Sequence, residues 1–191
     1  MNPSSAAALF ALALVVVIVG FLAISTYNAV VALRNRIHKA WANIDVALKQ
    51  RHDQLPNLVE AVRGVMTFEQ DVLEEVTRAR AAYVAADPVP RQAAVSEQTT
   101  AAVKSLFAVV ERYPELRSAE NVAALQDEIA RLENVIADRR ELYNDQVFRY
   151  NTRIAQVPTN VLAPVFGWTP EPFFAADEAE RATPAVDIRP A

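Results

Sequence analysis

Ala6 to Ile24 is an unbroken run of 19 residues, all apolar or glycine. No Asp, Glu, Lys, Arg or His occurs in the first 33 positions. As an α-helix rising 1.5 Å per residue the run is about 28 Å long, close to the hydrocarbon thickness of a bilayer. A soluble helix keeps a polar stripe for water, and this one has none. A cleaved signal peptide needs a basic n-region, which is missing, although Ala23 and Ser25 are small enough for a cleavage site. The run therefore reads as a retained transmembrane span, marked by Ala6, Leu14, Ile18 and Ile24.

The flanks set an orientation. Met1 to Ser5 carries no basic side chain, whereas Arg34, Arg36, Lys39, Lys49 and Arg51 follow the span against the single acid Asp45. Basic residues beside a span are retained on the cytoplasmic side. The sequence predicts a single-pass protein of the cell membrane, N-terminus outside and the larger C-terminal part in the cytoplasm.

Beyond the span, composition narrows the fold. The 191 residues are 52% hydrophobic, enough for a core, but contain only 3 glycines. Turn-rich sheets and phosphate-cradling loops need glycines in clusters. Cysteine is absent and only His38 and His52 are present, which excludes disulfides, thiol chemistry and most metal or triad layouts. The net charge of −4 argues against nucleic acid as a partner.

Residues 27–157 instead show helical periodicity. Val30, Leu33, Ile37, Trp41, Ile44 and Leu48 form one stripe. Leu58, Val62, Val65, Val72, Val76 and Ala79 form a second, opening at Pro56. Val95, Ala102, Leu106 and Val109 form a third, within a helix predicted from about Arg91 to Arg112. The fourth runs from Val122 through Ile129, Ile136, Tyr143 and Tyr150 to Ile154. Steps of three and four pack helices side by side, and short connections make neighbours antiparallel. The expected fold is all-α: a transmembrane helix, then a four-helix antiparallel bundle, or three helices if the first merely kinks at Pro56. Asp53 and Pro56 favour a turn there, as a cap and a first-turn proline. Asp87-Pro88-Val89-Pro90 and Tyr113-Pro114-Glu115 read as linkers.

No constellation of reactive side chains emerges. Glu74-Glu75, Asp127-Glu128 and Glu133 read as solvated faces, because a di-iron bundle wants Glu-x-x-His on two helices. His38 and His52 would lie about 21 Å apart on one helix, too far to share a metal. Arg139-Arg140, Arg149 and Arg153 read as an exposed salt-bridged face, with a phosphate or anionic-lipid patch as the alternative. No enzyme, cofactor or metal site is expected. After Val157 the chain turns apolar, aromatic and proline-broken, ending in Phe166-Gly167-Trp168 and Phe173-Phe174. This suits a shallow contact at the membrane interface. Tyr27, Asn28, Trp41, Phe166, Trp168, Phe173 and Phe174 are the candidate interface or lipid contacts.

Several strings together carry a family resemblance. They are Tyr27-Asn28, Trp41-Ala42-Asn43-Ile44-Asp45-Val46, Arg51 to Val59, Tyr113-Pro114-Glu115-Leu116, Glu120-Asn121, and Tyr150-Asn151-Thr152-Arg153-Ile154 through Phe166-Gly167. In this order, over roughly residues 5–175, the chain resembles the LemA family. It departs from the pattern at Gln54 and at Trp168-Thr169-Pro170. The resemblance implies a bacterial single-pass membrane protein with a helical-bundle domain and no enzymatic activity. The expected organisation is an anchor at 1–26, a bundle at 27–157, an aromatic interfacial segment at 158–174 and a disordered tail at 175–191. Two functions fit: a structural scaffold that self-associates through pairs such as Ala7-x-x-x-Ala11, or a membrane-anchored sensor or adaptor for a regulatory protein or soluble ligand. The expected partners are membrane lipid, a second copy of the chain and an unidentified protein.

Overall fold

The structure, a computed structural model, describes residues 3–63, 69–84 and 89–174. The predicted disordered tail, Val65 and the Asp87-Pro88 half of the first linker lie outside these residues, as does the side chain of Ala6, whereas Val89 and Pro90, predicted as linker, open a helix. Among the described residues the chain is all-helical, with no strand. The helices are α1 (Pro3–Arg63), α2 (Gln70–Val84), α3 (Val89–Val110), α4 (Pro114–Arg117), α5 (Glu120–Ala155) and α6 (Thr159–Phe166).

The predicted turn at Pro56 is corrected: α1 runs through it to Arg63. Proline in a helix interior removes a hydrogen bond and costs about 3 kcal/mol. Leu55, Leu58, Val59 and Val62 flank it and are all buried. Each contributes roughly 1.5–3 kcal/mol by leaving water, so packing outweighs the local cost. The second predicted stripe is thereby divided, with Leu58 and Val62 on α1 and Val72, Val76 and Ala79 on α2.

The chain forms two compact units. Of the described residues, one comprises those up to Trp41 and 143–171, the other those of 42–142 and 172–174. In the second unit, α1, α2, α3 and α5 share one hydrophobic core, in which Leu55, Val76, Leu106 and Ile129 represent the four helices. Pro114 opens the one-turn α4 after extended Tyr113, where a missing N–H costs nothing. Leu116 tucks into the same core.

In the first unit, Val30, Ile37 and Ala40 of α1 are buried, as are Tyr143, Val147, Tyr150 and Ile154 of α5. The same helix is bare further back. Leu9, Phe10, Leu12, Val15, Val17, Phe21 and Ile24 are all exposed. α1 is long and apolar enough to cross a membrane.

Candidate functional site

The most unusual side chain in the second unit is Arg51, only 2% exposed. It lies in the buried stripe of α1, in phase with Ile44, Leu48, Leu55 and Leu58. A buried cation is tolerated only when paired and hydrogen-bonded. Its Nη1 donates to Glu133 Oε1 of α5 at 2.7 Å and to Thr100 Oγ1 of α3 at 2.8 Å. Its Nη2 donates to Ser96 Oγ at 3.0 Å and to the Ser96 carbonyl at 3.2 Å. Thr100 in turn donates to Glu133 Oε2 at 2.9 Å. The planar guanidinium fork thus ties α1 to two other helices from one position. Glu133, read from sequence as a solvated carboxylate, is the counter-ion of this network.

Beside it, the Tyr83 hydroxyl donates to Asp45 Oδ1 at 3.3 Å. Burial, reinforced by Asp45, pushes the Tyr83 phenol up to about 12. The His52 ring lies 5.0 Å from that of Tyr83. Burial and the neighbouring Arg80 lower the His52 pKa, and its Nδ1 is buried without a hydrogen-bond partner. Both shifts favour the neutral form and move each group away from the range useful for proton transfer near pH 7. Among the described residues, no group of three or more His, Asp or Glu could hold a metal ion. The polar interior of this unit holds helices in register.

The first unit gathers aromatics at the end of the apolar run. Tyr27 lies 5.0 Å from Phe166 and 5.9 Å from Trp168, and Phe166 stacks on Trp168 at 5.0 Å. Gly167 makes this possible. Its φ of 66° lies in the left-handed region that glycine enters without strain, and it ends α6 while the Trp168 N–H donates back to the Ala163 carbonyl at 2.9 Å. A notch of about 290 Å³ between these rings is also lined by Val30, Val31, Arg34 and Asn35. Arg34 pairs with Glu171 at 3.5 Å.

Of the candidate contacts named from sequence, Tyr27, Phe166 and Trp168 thus form one cluster. Asn28 and Phe173 are exposed, and Leu14, Ile18 and Ile24 are bare along α1. Trp41 stands apart: it is half-buried, edge-on to Tyr143 at 5.8 Å. Phe174 is a correction. Its ring is 0% exposed, with the Arg140 guanidinium 4.8 Å above it, so a cation–π contact replaces the anticipated lipid surface. The basic run is mixed as well. Arg149 pairs with Asp145 as a surface i, i+4 bridge, whereas Arg140 reaches Glu97 and Arg139 donates to the Asn43 carbonyl. Sequence reading missed the Arg51 network, although its signal was present: an arginine in a seam position otherwise filled by Ile and Leu.

The sequence profile of the LemA family matches residues 40–188. Two magnetosome proteins of Paramagnetospirillum magneticum, MamQ 1 and MamQ 2, are each 36% identical over 73 residues, 38% of this chain and 27% of theirs. Magnetosome protein MamQ of Magnetospirillum gryphiswaldense is 23% identical over 174 residues, 78% of this chain and 64% of its own length. The chain therefore spans between about a quarter and two thirds of the curated relatives it matches. On the strength of a profile match that covers most of its length, the chain belongs to the LemA family.

Proposed function

We propose that this LemA-family protein is a non-catalytic, single-pass membrane protein whose helical bundle is a self-associating scaffold on the cytoplasmic face. The observation that carries this reading is the two-part character of α1. Its first half presents apolar side chains on every side, from Leu9 to Ile24, and its second half is a packed, amphipathic bundle helix. Water is a poor solvent for the first half and lipid for the second, so one helix joins a bilayer segment to a folded domain.

Contacts within each unit support the antiparallel arrangement. Tyr27 meets Phe166 while Trp41 meets Tyr143, and Asn43 meets Arg139 while Arg51 meets Glu133. In both pairs the α1 number rises as its partner's falls. The core shared by α1, α2, α3 and α5 supports four helices. Self-association draws on Ala7-x-x-x-Ala11, where small side chains let neighbouring spans approach.

Because the chain has no cysteine, one reporter thiol settles its sidedness. Ala123→Cys sits at an exposed position of α5. A membrane-impermeant maleimide should label it only after the cells are opened; labelling of intact cells would reverse the orientation. Light scattering in detergent over a hundredfold concentration range should show a stable oligomer. A strict monomer that instead captures a different chain would replace the scaffold with an adaptor.

A further inference from the structure

We infer that residues 157–168 form a second membrane contact, an apolar wedge lying in the plane of the bilayer interface beside the span. The inference rests on the proposed anchoring of α1 and adds to it a surface, a depth and a binding chemistry.

The surface is the outer side of α6 and the turn that leads into it. Val161 and Val165 lie one turn apart on the helix, with exposures of 68% and 75%, Val157 in the preceding turn is 77% exposed, and Phe166 adds a half-exposed ring. On the other side of α6, Thr159 is buried. Thus α6 packs by one face and leaves an apolar face without a protein partner. Residues 154–170 contain no charged side chain. A soluble surface rarely leaves so long a stretch without charge around bare valines.

The depth follows from Tyr27. It stands three residues past Ile24, about 4.5 Å along the helix from the end of the apolar run. The headgroup layer of one leaflet is roughly 5–8 Å thick. Tyr27 therefore falls within that layer, and its contacts with Phe166 and Trp168 bring the end of α6 to the same level. Val31 of α1, itself exposed, lines the same notch as Phe166 and Trp168. The medium that covers the span is the medium within reach of the wedge. Amphipathic elements of this kind bury their apolar side about 5–10 Å into the headgroup–acyl boundary.

The absence of charge also fixes the chemistry. Binding by buried apolar area needs no anionic lipid and resists salt, whereas binding through Arg34 to phosphate would weaken with ionic strength.

The test uses the full chain carrying Trp41→Phe, so that Trp168 is the sole tryptophan, reconstituted into zwitterionic phosphatidylcholine vesicles with bromines at shallow or deep acyl positions. Shallow bromines should quench Trp168 at least twofold more than deep ones, equally at low and high salt. Adding Val161→Asp and Val165→Asp, both at exposed sites, should remove most of that quenching while the melting temperature and carbonate-resistant membrane retention stay unchanged. Trp168 that is unquenched in a chain still retained by the membrane would overturn the wedge and leave the anchor intact. Quenching that needs anionic lipid or falls with salt would overturn it in favour of a phosphate contact. Release of the chain by carbonate would overturn wedge and anchor together.

Discussion

Asn151 grips the backbone of Glu171 at two points. Its Nδ2 donates to the Glu171 carbonyl at 2.9 Å, and its Oδ1 accepts from the Glu171 N–H at 2.9 Å. The side-chain amide thus satisfies both backbone groups of a residue twenty positions away, as a neighbouring β-strand would. Glu171 then extends its carboxylate to Arg34 of α1. One asparagine of α5 thereby fastens the segment that follows the aromatic cluster, and the asparagine of the Tyr150-Asn151 string acts as a clamp.

Loss of this clamp should be measurable. Asn151→Ala removes two hydrogen bonds and leaves a partly buried N–H and C=O to find water, at a cost of about 1–3 kcal/mol. The melting temperature of the detergent-solubilised chain should fall, and iodide should reach Trp168 more readily. Asn151→Asp keeps the acceptor but loses the donor and places a like charge beside Glu171, so it should not rescue. A change in stability below about 0.5 kcal/mol for Asn151→Ala would show that the strap is held elsewhere.

The Arg51 network makes a sharper prediction. Arg51→Ala leaves a cavity and strips Glu133 of its counter-ion; breaking a buried pair costs about 3–5 kcal/mol. Arg51→Met with Glu133→Leu removes both charges and restores volume, so denaturant unfolding should find the double variant more stable than Arg51→Ala alone. If the double variant is the worse of the two, the network contributes net stability as well as register.

What was legible in the sequence was periodicity. Steps of three and four carried Ile37, Ile44, Leu132 and Ile136 into the core because helix geometry alone determines which residues share a face. The run from Ala6 to Ile24 was equally plain. Pro56 was misread because local propensity pointed to a turn while burial of Leu55 and Leu58, a tertiary effect, held the helix together. Phe174 and Glu133 were misread for a related reason. Whether an aromatic ring meets Arg140 or lipid, and whether a carboxylate meets Arg51 or water, depends on residues far away in the chain.

The titrating side chains predict a stability profile that falls at both ends. Burial raises Tyr143 to about 12, with Glu171 adding to the effect, and raises Tyr83 to the same region. Between pH 10 and 12 the unfolded chain has lost these phenolic protons and the folded chain keeps them, so stability should decline as pH rises. His52 acts in the other direction. Its folded pKa is lowered, so below about 6.5 the unfolded chain binds a proton that the folded chain refuses, and stability should fall with acidification. Urea midpoints between pH 5 and 7 should show this slope in the native sequence and a shallower one in His52→Gln.

Pro56→Ala tests why α1 is continuous. In a helix interior proline forfeits the hydrogen bond its N–H would have made to the carbonyl four residues back, here that of His52, and crowds that carbonyl. Alanine restores the donor, a gain of up to about 3 kcal/mol. Part of this is offset, because proline also restricts the unfolded chain, by about 0.4–1 kcal/mol. A net stabilisation of roughly 1–2.5 kcal/mol is expected. The half-buried ring of Pro56 sits among Leu55 and Val59, so alanine also sheds some packing, and the lower half of that range is the firmer expectation. Pro56→Gly is the control: it restores the same N–H but adds backbone freedom, and should stabilise by about 1 kcal/mol less than alanine. If Pro56→Ala is destabilising, the proline is needed for the course of α1, and the helix is shaped there rather than merely tolerated.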